Sequence, residues 1–147
     1  MSDEGIRGDK TILLQRPDLI DMNTFAQILE MDDDEDLQFS SEICRGFIEE
    51  GKTIYPEIED AIKYGDFKTI YSRAHYLVGL SKTIGAIKVI ATSEELKRLG
   101  KQEDSNGERV SDEAWLLREA ADALVEAKIG YEETADVFRK FYKIAKD

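Results

Sequence analysis

The chain has 147 residues, 41% of them hydrophobic, and a net charge of −12 at pH 7, which suits one domain built around one core. The acidic balance argues against binding to nucleic acid or anionic membrane surfaces, which need a basic footprint. The single cysteine, Cys44, excludes an internal disulfide, no apolar run reaches transmembrane length, and no signal peptide is expected.

The N-terminal residues 1–16 are predicted to form a flexible leader, because they are mostly polar and contain glycine. The apolar run at residues 12–14 is a candidate for docking onto the folded part. Pro17 marks a turn, so the folded domain is expected to span residues 17–147. Asp21 is then the predicted N-cap of a short helix with apolar residues at helical spacing, namely Met22, Phe25, Ile28 and Leu29.

An acidic run at residues 32–36 precedes a long helix predicted over about residues 37–62. Its carboxylates are expected to cap that helix. A calcium site is disfavoured because the EF-hand glycine and closing glutamate are missing. Pro56 is expected to kink the helix, and Cys44 is expected to be a packing residue within it.

Three further helices are predicted over about residues 67–84, 87–101 and 112–146, with a polar loop over residues 102–111. Strand-like alternation is absent and proline is scarce. Four long helices joined by short links predict an all-α fold, an antiparallel four-helix bundle with a short additional N-terminal helix.

The only histidine, His75, lies on the outward face of the helix predicted over residues 67–84. At about 100° per residue, the apolar residues form one stripe that faces the core. His75 falls about 130° from the centre of that stripe. Gly79 and Lys82 lie on the same outward face as His75, and Val78 lies between the apolar and the outward face. The stripe consists of Phe67, Ile70, Ala74, Leu77, Ser81 and Ile84.

A lone histidine can equally be a core residue or an incidental surface residue. The helical wheel argues against the core, whereas the surface alternative stays open. Gly79 favours a functional role, because glycine inside a helix costs roughly 1 kcal/mol relative to alanine and leaves room for a partner to approach the imidazole. The alternative for Gly79 is tight packing on a neighbouring helix, which its outward direction disfavours.

The residues His75, Leu77, Gly79, Ser81 and Gly85 form a pattern that resembles the phosphorylation motif of histidine-containing phosphotransfer (HPt) proteins, the four-helix-bundle carriers of multistep phosphorelays. The resemblance extends over roughly residues 19–100 and more loosely over the last helix. Two further segments are similar to the fungal single-domain members: the acidic run with Phe39 and Ser40, and the triplet Arg98, Leu99 and Gly100.

Two residues depart from the family pattern. Val78 stands where family members carry a lysine that helps hold the phosphoryl group, and Leu80 replaces a small residue. Lys82 and Arg73 are possible substitutes for that lysine. The predicted residues supporting the phosphoryl acceptor are therefore Gly79, Lys82, Arg73 and Ser81.

The resemblance implies that His75 accepts a phosphoryl group from the aspartate of a hybrid kinase's receiver domain and passes it to the aspartate of a response regulator. Such a carrier is not a stand-alone enzyme and needs no cofactor, because Mg²⁺ is expected on the receiver. The resemblance further implies a monomer acting in osmotic stress signalling in the cytoplasm and nucleus. The expected receiver-binding residues are Thr24, Ile28, Ile43, Tyr76 and Gly79, rimmed by Asp32 and Glu35, although Ile28 and Ile43 are equally candidates for the core.

Two other functions stay open. One is a helical adaptor that binds receiver domains without being phosphorylated, which the missing lysine favours. The other is a histidine-dependent enzyme, which is disfavoured because one histidine and one cysteine offer no metal site and no acid–base partner at useful spacing.

Overall fold

The computed structural model of the chain describes residues 9–33 and 36–146. Within these ranges the backbone forms helices and no strand, apart from isolated bridges between Ile20 and Ala86 and between Glu103 and Arg109. The expected all-α fold is confirmed. The helices are α1 (Lys10–Leu14), α2 (Met22–Leu29), α3 (Gln38–Tyr64), α4 (Phe67–Ile84), α5 (Ile87–Gly100) and α6 (Glu113–Tyr142).

The four long helices form a closed bundle in which α3 packs on α4, α4 on α5, α5 on α6, and α6 on α3. The links between α3, α4 and α5 are only residues 65–66 and 85–86, so these neighbours run antiparallel. The short helix α2 packs across α3 and α4, and α1 packs on α6. The bundle thus carries two short N-terminal helices, one more than the sequence predicted.

The additional helix α1 lies in the segment expected to be a flexible leader. Asp9 caps it by accepting a hydrogen bond from the backbone N–H of Thr11 at 2.9 Å, and Leu13 is fully buried. This part of the leader is therefore ordered on the bundle through the apolar run that was a candidate for docking. Residues 1–8 lie outside the described part of the chain, and the domain boundary at residue 16 stays a prediction.

The ends of α4 follow from capping. The Asp66 carboxylate accepts a hydrogen bond from the Thr69 N–H at 3.1 Å, and Gly85 ends the helix with a φ of 75°, a conformation that suits glycine. The helix α6 ends at Tyr142, earlier than predicted, because Lys143 takes a left-handed φ of 56°.

The acidic run caps α3, as expected, through two of its described residues. The Asp36 carboxylate accepts from the Gln38 N–H at 3.1 Å. The Asp32 carboxylate accepts from the Ser40 N–H at 2.8 Å and from the Ser40 hydroxyl at 2.6 Å. These bonds satisfy N–H groups that have no partner within the helix.

The core contains an aromatic cluster in which Phe138 packs on Phe25 and Phe47, with ring centroids 5.3 and 5.9 Å apart. Cys44 is fully buried beside this core, as expected of a packing residue, and burial raises the pKa of its thiol. Among the described residues, no helix combines the length and apolar character needed to cross a membrane.

Candidate functional site

His75 is exposed on α4, on the outward face that the helical wheel predicted. The buried side of α4 is formed by Ile70, Ala74, Leu77, Val78, Ser81 and Ile84. No hydrogen bond or ion pair joins the His75 imidazole to any residue in the described part of the chain. Both ring nitrogens are therefore open to an incoming partner.

Among residues 9–33 and 36–146, the one ring contact of His75 is with Tyr71, one helical turn earlier. The two rings are nearly parallel, with an interplanar angle of 10° and centroids 5.7 Å apart. The ammonium of Lys101, which follows α5 directly, lies 5.9 Å from the centroid of the Tyr71 ring. His75 thus lies beside the contact between α4 and the C-terminal end of α5.

Gly79 faces open space one turn after His75. A Cβ atom built on Gly79 would meet no other atom within 4 Å, so this glycine is not required by packing against a neighbouring helix. No side chain at position 79 therefore obstructs the approach of a partner to the imidazole, as the sequence predicted.

Ser81, a predicted supporting residue, does not belong to the surface beside His75. It is fully buried, and its hydroxyl donates to the backbone carbonyl oxygens of Leu77 at 2.6 Å and Val78 at 3.2 Å. Its hydrogen bonds are internal to α4 and its hydroxyl does not reach the surface beside His75, so a supporting role for Ser81 stays a prediction. The sequence already placed it on the apolar stripe.

Val78 is 5% exposed, so the position between the two faces of the helical wheel belongs to the core. A lysine there would have to extend its chain out of a buried site before its ammonium reached solvent. Leu80, the second departure from the family pattern, is half-buried and packs against the core.

The two candidate basic substitutes lie on different sides of α4. Lys82 is exposed, and its ammonium lies 3.6 Å from the Glu94 carboxylate of α5, so it is on the same side as His75. Arg73 lies 3.6 Å from the Glu57 carboxylate of α3 and stacks over the Tyr76 ring at 5.4 Å. The structure does not bring Arg73 to His75, because residues two apart on a helix do not face each other.

Tyr76, directly after His75, joins α4 to α3. The residue is 42% exposed, and its hydroxyl donates a hydrogen bond to the Glu50 carboxylate. That bond from the protonated hydroxyl to a carboxylate raises the pKa of Tyr76 above its ordinary value. This contact shows that the side of α3 that carries Glu50 lies next to the exposed side of α4.

Helical spacing places Phe39, Ile43 and Gly46 on that same side of α3 as Glu50. Phe39 is 41% exposed, Ile43 is half-buried, and Gly46 has open space where a Cβ would stand. We define the docking face as Phe39, Ile43, Gly46, Tyr76 and Gly79. It is an exposed surface with apolar side chains and two glycines that allow close approach.

The remaining predicted receiver-binding residues are not among the five residues of this face, and their part in binding stays a prediction. Ile28 is 8% exposed and part of the core, which is one of the two alternatives that the sequence left open for it. Thr24 is half-buried and donates to the Asp21 carboxylate at 3.2 Å. Asp32 caps α3, and Glu35 lies outside the described residues.

Sequence reasoning assigned no part in the site to Tyr71, Lys101 or Gly46, and it noted Phe39 only as part of the family resemblance. The spacing of four residues between Tyr71 and His75 was a usable signal, since such pairs meet on a helix surface. Lys101 had no such signal, because its position depends on how α5 packs on α4. In the same described residues, no group of histidine, cysteine, aspartate or glutamate side chains is placed to hold a metal ion.

No protein-family model matches the chain. It is 33% identical over 95 residues to multistep phosphorelay regulator 1 of Schizosaccharomyces pombe, covering 65% of this chain and 32% of that protein. It is 28% identical over 92 residues to the phosphorelay intermediate protein YPD1 of Candida albicans, covering 63% of this chain and 50% of that protein. The chain thus spans about a third of the length of the first relative and half of the length of the second.

The fold has a close counterpart among solved structures. The crystal structure of yeast Ypd1p superposes with a TM-score of 0.75 at 19% identity, covering 87% of this chain and 96% of that one. This similarity shows a common fold, whereas the evidence for homology comes from the two sequence matches. The chain is homologous to fungal phosphorelay intermediates and has the helical-bundle fold of yeast Ypd1p.

Proposed function

We propose that the chain is a phosphorelay intermediate whose phosphoryl acceptor is His75. One observation carries the proposal: the only histidine is exposed on the fold shared with Ypd1p, has no hydrogen-bond or ion-pair partner among the described residues, and stands beside the open Gly79. The names of the two relatives support a phosphotransfer role.

The chemistry needs one nucleophilic nitrogen. An imidazole is substantially neutral near pH 7, so one ring nitrogen carries a free lone pair. In the proposed first step, that nitrogen attacks the phosphorus of a receiver phosphoaspartate. A P–N bond forms, the P–O bond to the aspartate breaks, and the carboxylate leaves with the electron pair. The second step is the reverse reaction on the aspartate of another receiver.

In this proposal the receiver supplies the Mg²⁺, the aspartate and most of the charge stabilisation, while the chain supplies position. Phosphoryl transfer depends largely on in-line placement and electrostatic stabilisation. The docking face supports this division of roles, because it joins apolar side chains of α3 to Tyr76, the residue directly after His75, and Gly79 leaves room for a receiver. Glu50 and Glu57 lie at its edge, which favours a partner with basic residues around its own apolar centre.

The experiment is transfer of ³²P from a phosphorylated fungal-type receiver to the chain. Wild type is expected to take up label that is lost in acid and kept in alkali, as phosphohistidine requires. His75→Gln is expected to take up none, with unchanged circular dichroism and a stability within about 0.5 kcal/mol of wild type, as is usual for a surface substitution. Lys68→Gln, which places the same side chain at another exposed position of α4, is the matched control and should accept label normally.

The adaptor function is the second candidate, favoured by the apolar and buried Val78 where a basic residue would otherwise stand. It predicts that wild type binds the receiver and takes up no label. Label persisting on His75→Gln would contradict the assignment of the acceptor.

A further inference from the structure

We infer that Tyr71 is a positioning residue for His75 and holds the imidazole in the orientation presented to the receiver. The inference rests on the proposed function and adds a residue to it. Its basis is the near-parallel stack of the two rings, with an interplanar angle of 10° and a centroid separation of 5.7 Å.

A histidine with a chemical role is usually oriented by a hydrogen bond to its second ring nitrogen. His75 has no such bond with any described residue, so its side-chain torsions would otherwise be free among their staggered wells. The Tyr71 ring covers one face of the imidazole and selects the rotamer in which the rings are parallel. Tyr71 therefore orients the imidazole by stacking, which in other histidines is done by a hydrogen bond to the second ring nitrogen.

The stack leaves the reactive atoms uncovered. The lone pair of an imidazole nitrogen lies in the plane of the ring, whereas Tyr71 covers a face of the ring. A receiver phosphorus that approaches a ring nitrogen in that plane therefore need not displace the Tyr71 ring.

The Tyr71 ring is itself fixed by the C-terminal end of α5. A Cβ built on Gly100 would lie 2.5 Å from the backbone nitrogen of Tyr71 and 2.7 Å from its Cα, so only glycine lets α5 approach this closely. The Lys101 ammonium lies 5.9 Å from the ring centroid, at a cation–π distance. Tyr71 is half-buried while His75 is exposed. The Tyr71 ring is therefore the less mobile of the two and limits the orientations of the His75 ring.

The test compares Tyr71→Phe, which keeps the ring, with Tyr71→Leu, which keeps apolar volume and removes it. Tyr64→Leu removes a tyrosine that is 78% exposed at the end of α3 and is the matched control. In a two-dimensional NMR spectrum, the His75 ring protons should move downfield in Tyr71→Leu, because a stacked ring shields them. They should stay near their wild-type positions in Tyr71→Phe and Tyr64→Leu.

The second readout is the rate of label transfer to His75. Release from one staggered well into three predicts a two- to threefold lower rate for Tyr71→Leu, with receiver affinity unchanged and Tyr71→Phe close to wild type. Unmoved His75 signals in Tyr71→Leu would overturn the inference, as would an equal loss of rate in Tyr71→Phe. If wild type accepts no label, the proposed function fails, and the NMR comparison still decides whether Tyr71 orients His75.

Discussion

Replacing Gly79 separates folding from function at the candidate site. A Cβ at this position meets no atom within 4 Å, so Gly79→Ala introduces no clash. Alanine is about 0.8–1.0 kcal/mol more favourable than glycine inside a helix. At about 2–4 °C per kcal/mol for a domain of this size, Gly79→Ala should melt a few degrees higher. Gly79→Gln should gain most of the same stability, because glutamine is also a good helix former.

Label transfer should respond in the opposite direction. The longer side chain of Gly79→Gln stands one turn from His75 and obstructs the receiver, so transfer should fall about tenfold, the equivalent of losing about 1.4 kcal/mol of docking energy. Gly79→Ala should transfer nearly as wild type does. Thermal melts and initial transfer rates of both variants check this. A Gly79→Gln variant that melts higher and transfers at the wild-type rate would refute the argument that Gly79 belongs to the approach surface.

Three further substitutions test the packing around the site. Gly51→Ala should destabilise the chain by about 1–3 kcal/mol, because the added Cβ would lie 2.1 Å from the Tyr131 ring. Gly46→Ala on the same helix should stabilise the chain by up to about 1 kcal/mol. Equal melting temperatures of the two variants would contradict the packing of α3. Ile28→Asp should lower stability by about 3–5 kcal/mol because Ile28 is core, and receiver binding lost with an unchanged melt would restore Ile28 to the docking surface. Val78→Lys should lower the melting temperature because Val78 is buried. It should also lengthen the lifetime of phosphorylated His75 a few-fold, since one exposed charge contact contributes about 0.3–1 kcal/mol. An unchanged lifetime would mean that a lysine at this position does not hold the phosphoryl group.

The sequence predicted α4 closely, because its signals are local. Asp66 supplies the N-cap and Gly85 the C-terminal stop, and the apolar spacing between them fixes the buried side. The outward direction of His75 and Gly79 follows from the same spacing, so the centre of the candidate site could be read without coordinates.

The features that the sequence did not predict depend on neighbouring helices. The helical wheel locates the middle of the apolar stripe and leaves its edges open. Val78 is buried at such an edge because α3 and α5 both flank α4, which widens its covered arc. Arg73 turns toward Glu57 for the same reason, and Ile28 is covered where α2 crosses the bundle. The contact of Lys101 with Tyr71 joins residues whose distance in sequence carries no periodic signal.

The most direct test of the central claim is a reconstituted relay with two receiver domains. The first receiver is phosphorylated with ³²P, the second is unphosphorylated, and the label on all three proteins is followed over time. We predict that label reaches the second receiver only when the chain is present, passes through an acid-labile species on it, and fails to pass with His75→Gln. Label that moves between the receivers equally well with His75→Gln, or that reaches the chain and never leaves it, would contradict a carrier function.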